Sequence, residues 1–371
     1  MKLTIERAIL LKALGHVHSV VERRNTIPIL SNVKFDAEEG VVRLNATDMD
    51  IDIIEEVAAN VATTGGATVS VHTLYDIVRK LPEGAQVDID GDGSGQVILS
   101  AGRSRFSLAS LPVDEFPVLS GGDLPHQFSV AAHDLRGLVD RTRFAISTEE
   151  TRYYLNGIYL HEAERDSTSI LRAVATDGHR LASTEIPLPA GAEGIPDVIL
   201  PRKTVAELRK LVDELSDEIL ISLSPSKIRF SFDNLLLTSK LIDGTFPDYQ
   251  RVIPEGNDRI MEVNRGSFAE SVDRVSAISS ERSRAIKLSL SEGMLVLSAS
   301  SQEHGSATEE LEVTYQGDQL EIGFNASYLL DVTRQIEGET ARFSMADAAS
   351  PTVMQETDDD SALYVLMPMR V

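Results

Sequence analysis

Short runs of alternating apolar and polar positions pass directly into helix-spaced text at six places. They are Leu3-Thr4-Ile5, Val69-Ser70-Val71, Phe128-Ser129-Val130, Val198-Ile199-Leu200, Met261-Glu262-Val263 and Ile322-Gly323-Phe324. Alternation puts every second side chain on one face of a strand, whereas apolar residues three and four apart line one face of a helix. The helical text reads LLKALGHVHSVVE, LYDIVRKL, DLRGLVDRTRFAI, VAELRKLVDEL, FAESVDRVSAI and YLLDVTRQI, and alternating strands follow each stretch. The junctions recur about every 60 to 70 residues, which makes the chain an internal repeat of a β-α-β-β-β unit. One helix covers one sheet face, and the outer strands leave edges that must be paired or covered. The expected fold is α+β, with units placed side by side in larger sheets. Pairing the units gives three similar domains, each of two units.

Proline- and glycine-bearing connectors mark the boundaries. LPVDEFPVLSGGDLPH (111–126) and FPDYQRVIPEGNDR (246–259) occupy equivalent places, and each carries a Phe-Pro step, Phe116-Pro117 and Phe246-Pro247. Proline fixes φ and donates no hydrogen bond, so it suits a strand exit. The domains are expected at 1–122, 123–256 and 257–371. A second correspondence runs through LNATDMDIDI, AVATDGHRLA and LSASSQEHGS, each a strand ending in a tight turn of small and polar residues.

Composition narrows the class. The 371 residues are 42% hydrophobic and include no Cys, which excludes disulfides and thiolate metal sites and fits a reducing compartment. The N-terminal text lacks the pattern of a secretory leader, and no run approaches the roughly 18 apolar residues of a membrane span. A cytoplasmic protein without membrane contact is expected. The formal charge of -23 argues against tight nucleic-acid binding. Yet about half of the Lys and Arg fall on the helix segments and their flanks, among them Arg24, Arg136, Arg143, Arg202, Lys203, Arg209, Lys210, Arg274, Arg282 and Arg334. Acidic residues collect in strands and turns. Two readings stay open: ordinary solvated helix faces, or one side of the sheets far less acidic than the other.

Local candidates for chemistry are few. Asp88-Ile89-Asp90-Gly91-Asp92-Gly93 opens like a calcium loop, but Leu99 stands where the bidentate Glu is needed. A hairpin turn is the better reading. His16 and His18, two apart on a helix, point roughly 200° apart and cannot share a metal. No metal site and no cofactor are expected. Thr176-Asp177-Gly178-His179-Arg180-Leu181 is the strongest local candidate. Asp177 and His179 could form an acid–base pair, but the same turn recurs at Asp48-Met49-Asp50 and Gln302-Glu303-His304, so a plain turn or a partner-binding element is favoured over an enzyme. Tyr153 and Tyr154 could stack on nucleic-acid bases or begin a half-buried strand.

Taken together, these residues resemble the bacterial beta sliding clamp family, the processivity subunit of the replicative DNA polymerase. The resemblance covers the whole chain and rests on IPILSNV (27–33), GRSRFSLASLP (102–112), RYYLNGIYL (152–160), ATDGHRLA (175–182), PRKTV (201–205), TSKLIDGTFPDYQRVIP (238–254), IGFNASYLLDV (322–332) and the final YVLMPMRV. It implies a non-catalytic head-to-tail homodimer closed into a ring, with helices lining the hole and sheets outside. Duplex DNA would be threaded through the hole without sequence preference. The ring would tether the polymerase alpha subunit, the clamp-loader delta subunit and other polymerases and repair proteins.

The resemblance also assigns residues. A pocket for short linear peptides, between the second and third domains, is implied at Leu155, Thr176, Gly178, His179, Arg180, Leu181, Pro247, Arg251, Val252, Asn325, Tyr328, Val365, Met367 and Met369. DNA contacts carry over to Arg24, Tyr153, Tyr154, Arg202 and Lys203. The dimer contact sets Phe106 and Leu108 of one chain against Ala277 and Ile278 of the other, with acidic residues near Glu303 and Glu309 across from basic ones. Departures stand at Leu74 (Lys expected), Ala277 (Ile expected), Glu149 (Gln expected), Gln250 (a basic residue expected) and Pro351 (a small hydroxyl residue expected within a strand). Ring closure and the pocket rim are the features they would retune.

Overall fold

The computed structural model describes residues 1–91, 93–119, 122–279 and 284–370. Asp92, Arg282 and Val371, named above, lie outside the described residues. Each expected junction is present as a strand whose last residue abuts a helix. The first third of the chain runs β1 (Lys2–Glu6), α1 (Arg7–Val17), β2 (Asn32–Glu38), β3 (Val41–Thr47), β4 (Ile51–Ala58), β5 (Asn60–Thr63), β6 (Gly65–Ser70), α2 (Val71–Val78), β7 (Gln86–Gly91), β8 (Gln96–Ala101) and β9 (Ser104–Ala109). The second runs β10 (His126–Ala131), α3 (Ala132–Arg143), β11 (Gly157–Arg165), β12 (Thr168–Thr176), β13 (Arg180–Pro187), β14 (Val198–Pro201), α4 (Arg202–Val212), β15 (Glu218–Leu223), β16 (Lys227–Ser231) and β17 (Leu235–Lys240). The last runs β18 (Arg259–Asn264), α5 (Arg265–Ser276), β19 (Ala285–Ser291), β20 (Met294–Ser301), β21 (Gly305–Glu312), β22 (Thr314–Tyr315), β23 (Leu320–Asn325), α6 (Ala326–Thr333), β24 (Thr340–Met345), β25 (Thr352–Glu356) and β26 (Ala362–Leu366).

Capping explains the abrupt junctions. The side chains of Asn264 and Asn325, the last residues of β18 and β23, accept hydrogen bonds from the backbone N–H groups of Ser267 and Ser327. Each satisfies a donor that the first helical turn leaves unpaired. The helices bury one stripe apiece, as at Leu10, Ala13, Leu14 and Val17 of α1 and Phe268, Ser271, Val272 and Val275 of α5. Helix text outruns the helices: α1 ends at Val17, although the apolar spacing continues to Val21. Val20 and Val21 are buried beyond the helix end, so the pattern there reports packing rather than helix. Two short strands, β5 and β22, were not expected, since four and two residues are too few to show alternation.

The chain forms two compact units. One holds Met1–Leu135, Pro189–Pro196 and Ala206–Leu241; the other holds Arg136–Leu188, Asp197–Val205 and Ile242–Val371. In the first unit lie a five-stranded sheet, β5-β1-β7-β8-β9, and an eight-stranded sheet, β10-β15-β16-β17-β4-β3-β2-β6. In the second lie a nine-stranded sheet, β14-β11-β12-β13-β26-β25-β24-β18-β22, and a four-stranded sheet, β21-β20-β19-β23. The larger sheets are continuous where sequence repeats meet. β17 pairs antiparallel with β4, Leu235 opposite Glu55, and β13 pairs with β26, Leu181 opposite Val365. Repeats therefore close their open edges on each other.

Candidate functional site

The Thr176–Arg180 turn joins β12 to β13. Thr176 Oγ1 donates to the Arg180 carbonyl at 2.7 Å and accepts from the Gly178 N–H at 3.1 Å. Asp177 Oδ1 accepts from the N–H groups of His179 and Arg180, at 2.9 and 3.0 Å. Gly178 has φ 86°, a region that favours glycine. The Thr47–Ile51 turn repeats these contacts through Thr47 Oγ1 and Asp48 Oδ1. The second carboxylate oxygen of Asp177 accepts from Arg180 Nε at 3.1 Å. Asp177 is thus committed to shaping the turn.

Arg180 is held on all sides. Nη1 donates to Asp331 Oδ2 and Nη2 to the Phe144 carbonyl, both at 2.6 Å, and the guanidinium lies 4.3 Å from the Tyr328 ring centroid. A planar cation with a fixed fork of donors suits such a junction. It brings Tyr328 and Asp331 of α6 to the β12–β13 turn.

Beside the turn lies an apolar floor. Leu155, Leu181 and Val365 are buried in one cluster with Val174, Ile199, Phe246, Tyr249 and Val353. The rim is exposed: Val252 is 47% accessible and Met367 41%, and Pro247 and Arg251 are exposed beside them in sequence. Met367 N–H donates to the His179 carbonyl at 3.0 Å, which places Met367 at the turn. Met369 N–H donates to the Gly323 carbonyl at 2.8 Å, and Met369 lines a groove of about 830 Å³ over β19–β21 and β23. Asn325 serves as the α6 cap described above. Pro351 lies one residue before β25 rather than within a strand; its carbonyl accepts from Asn257 Nδ2 at 2.9 Å. Sequence reasoning missed Phe246, Tyr249 and Val353 in the floor; the repeated Phe-Pro step was the available signal for Phe246.

The other candidate residues take varied positions. Arg24 and Arg202 are exposed, and neither meets a carboxylate among the described residues. Lys203 and Tyr154 are half-buried, and Tyr153 is exposed, its ring edge-on to Tyr154 at 5.7 Å. Several helix cations are paired locally: Arg136 and Arg143 share Asp140, Arg209 meets Asp213 just past α4, and Lys210 meets Glu207. That trims the basic character expected of the helices. Phe106 and Leu108 are half-buried on β9, an edge strand; Ala277, the α5 C-cap, is exposed and Ile278 half-buried. Leu74 is buried within α2, so it is a core position and not a missing surface cation. Glu309, on the edge strand β21, accepts from Arg274 Nη2 and Ser271 Oγ, both at 2.6 Å. These partners, Arg274 first, hold its carboxyl down at about 2.

Three similar domains of paired β-α-β-β-β units, with a turn-and-floor site of this kind, define a clamp fold. Family models described as the N-terminal, central and C-terminal domains of the DNA polymerase III beta subunit match residues 1–120, 129–248 and 250–370. The beta sliding clamp of Caulobacter vibrioides is 54% identical over 372 residues, covering all of both chains. Among solved structures, a Bartonella birtlesii DnaN sliding clamp bound to griselimycin superposes with a TM-score of 0.97 at 49% identity, covering all of both chains. A Caulobacter crescentus clamp, with polyethylene glycol in a region described as a putative tethering site, superposes with a TM-score of 0.98 at 53% identity, covering 100% and 99%. The chain belongs to the DNA polymerase III beta subunit family, and its function is that of a DNA sliding clamp in replication.

Proposed function

We propose that two copies close head-to-tail into a ring around duplex DNA in the cytoplasm. The domains run 1–122, 123–256 and 257–371. Phe106 and Leu108 of one copy meet Ala277 and Ile278 of the next, and Arg24, Tyr153, Tyr154, Arg202 and Lys203 face the DNA backbone. The floor and rim from Leu155 to Met369 take short linear segments of the polymerase alpha subunit, the clamp-loader delta subunit and other polymerases and repair proteins. The role is non-catalytic, a reading supported by the engagement of Asp177 with its own turn.

The observation that carries the proposal is the conjunction of an exposed apolar rim at Val252 and Met367 with a buried floor at Leu155, Leu181 and Val365. Exposed apolar side chains beside polar groups mark peptide grooves, and flexible thioethers adapt to varied ligands. Topology decides the DNA part, because a net charge of -23 opposes direct attraction. Ring loaded onto nicked circular plasmid is expected to stay bound at salt that strips it from short linear duplex, since phosphate contacts alone are steeply salt-sensitive. Linearising the plasmid should release it. Equal retention on circular and freshly cut DNA would overturn the topological reading.

A further inference from the structure

The loop after Phe246 is fastened to the nine-stranded sheet through Tyr159, His161 and Arg172, none of which belongs to the floor or rim named above. Tyr159 and His161, two apart on β11, share a face. The Phe246 ring stacks on Tyr159 with centroids 4.7 Å apart, and Tyr159 stacks on His161 at 4.5 Å. Strand register sets His161 opposite Arg172 on β12, and Arg172 opposite Glu185 on β13. Tyr249 is buried, and its hydroxyl lies 3.1 Å from His161 Nε2 and 3.2 Å from Arg172 Nη1. Directions follow from the donor inventory. Arginine only donates, and a carbonyl only accepts. His161 Nδ1 lies 2.7 Å from the Glu162 carbonyl, so Nδ1 carries the proton and Nε2 accepts. Tyr249 therefore accepts from Arg172 and donates to His161, while Glu185 holds Arg172 at 2.7 and 2.9 Å.

We propose that the Arg172–Tyr249–His161 chain is a latch that positions the pocket rim at Pro247, Arg251 and Val252, and that protonation of His161 opens it. The proposal rests on reading that surface as a peptide pocket. Pro247 sits between the two anchors, Phe246 and Tyr249. Arg251 and Val252 end the short helix that Tyr249 begins, and both are exposed, so the anchors rather than their own packing set their position. A protonated imidazole has two donors and no acceptor. The Tyr249 hydroxyl proton would lose its partner, and the imidazolium would face the Arg172 guanidinium. The other groups around the ring are Asp197, which precedes β14 and accepts from the Tyr159 hydroxyl at 2.8 Å, and Glu185, already engaged with Arg172. Burial, the larger cause, and Arg172 hold His161 below its ordinary value against the Glu162 carbonyl and Asp197. The latch is closed at neutral pH and opens in acid.

The test is fluorescence anisotropy of a labelled peptide carrying Gln-x-x-Leu-Phe, with the full chain, at about pH 7.5 and about pH 5.5. Tyr249→Phe keeps the ring and removes the hydroxyl. It should weaken binding about fivefold to tenfold at neutral pH, the loss of one buried hydrogen bond, and flatten the pH profile. The unaltered chain should lose affinity in acid. His161→Gln supplies an uncharged acceptor, so its affinity ratio between the two pH values should be closer to one. Both proteins retain His179, so the difference between their profiles isolates His161. Unaltered affinity and profile in Tyr249→Phe, or a full acid loss in His161→Gln, would overturn the latch while leaving the pocket standing. Failure of the unaltered chain to bind the peptide at neutral pH would remove the pocket reading, and the latch with it.

Discussion

Single residues store this protein's sensitivity to pH. Asp52 on β4 sits between Thr47 and Thr238 of the flanking strands. Only 7% of it is accessible, and its Oδ1 has no hydrogen-bond partner among the described residues. Burial raises its carboxyl from 3.8 to about 6, against the pull of Arg229. The native state then holds a proton that the unfolded chain has already released between those values, so stability falls as pH rises across that window. Above it the full cost is in force, about 3 kcal/mol for a shift of about two units. Asp52→Asn should raise the melting temperature at about pH 7.5, and calorimetry should show the gain shrinking toward about pH 4. His16 acts in a higher window. Burial pulls it down, but Glu55 at 2.8 Å and Glu214 at 3.2 Å outweigh that and raise it above 6.5. Its contribution is present below 6.5 and is lost as pH rises through the folded value. His16→Gln should therefore cost most near pH 6 and little near pH 9 in urea titrations.

Elements owe their positions to backbone proximity at a few points. Gly157 opens β11 opposite Pro201 of β14, and a Cβ there would collide with the Leu200 carbonyl, a backbone atom. Gly157→Ala should force the two strands apart at a cost of about 3 kcal/mol or more, measured as a drop in the denaturation midpoint. Its effect on peptide binding should be secondary, through Leu155 and Ile199 in the floor. The C-terminal segment is separable by contrast. β26 completes its ladder by Leu366, and Met367 and Met369 add one backbone hydrogen bond each, to His179 and Gly323. Deleting Met367–Val371 should abolish binding of the Gln-x-x-Leu-Phe peptide with a loss of stability of about 1–2 kcal/mol. Retained affinity in calorimetric titration would show that the pocket lies elsewhere.

At the scale of the whole molecule, the question is how an acidic chain works on DNA. Four helix cations, Arg136, Arg143, Arg209 and Lys210, are paired with carboxylates one turn away, and exposed pairs of this kind contribute little to stability. They reduce the positive charge of α3 and α4 without cancelling it, which suits sliding better than gripping. Assembly would then depend on two of the edge strands, β9 in one unit and β21 in the other, because unpaired edges are templates for pairing with another chain. A closed cyclic dimer uses the same two patches twice. Ile278→Asp would bury an unpaired charge in that contact. Light scattering at micromolar concentration should then give the mass of one chain, against two for the unaltered protein. The same mass in both would refute the assigned contact.

The alternation and helical spacing of the sequence determined the six strand-to-helix junctions, the repeat and the three-domain plan, because each rests on local periodicity that survives without knowledge of neighbours. The matched motifs also contain Leu155, Leu181 and Val365, which the fold buries in one cluster, and Arg180, which it ties to Asp331. Tertiary structure alone decided how the repeats join, since β17 meets β4 and β13 meets β26 across more than a hundred residues. It moved Leu74 into the core and Pro351 out of its strand, because a residue's place against neighbouring strands and helices is not encoded in its own spacing. It also revealed the His161–Arg172–Tyr249 chain. Those residues are of ordinary type; strand register sets the imidazole opposite the guanidinium, and only the path of the loop after Phe246 brings the phenol, more than seventy residues on, between them.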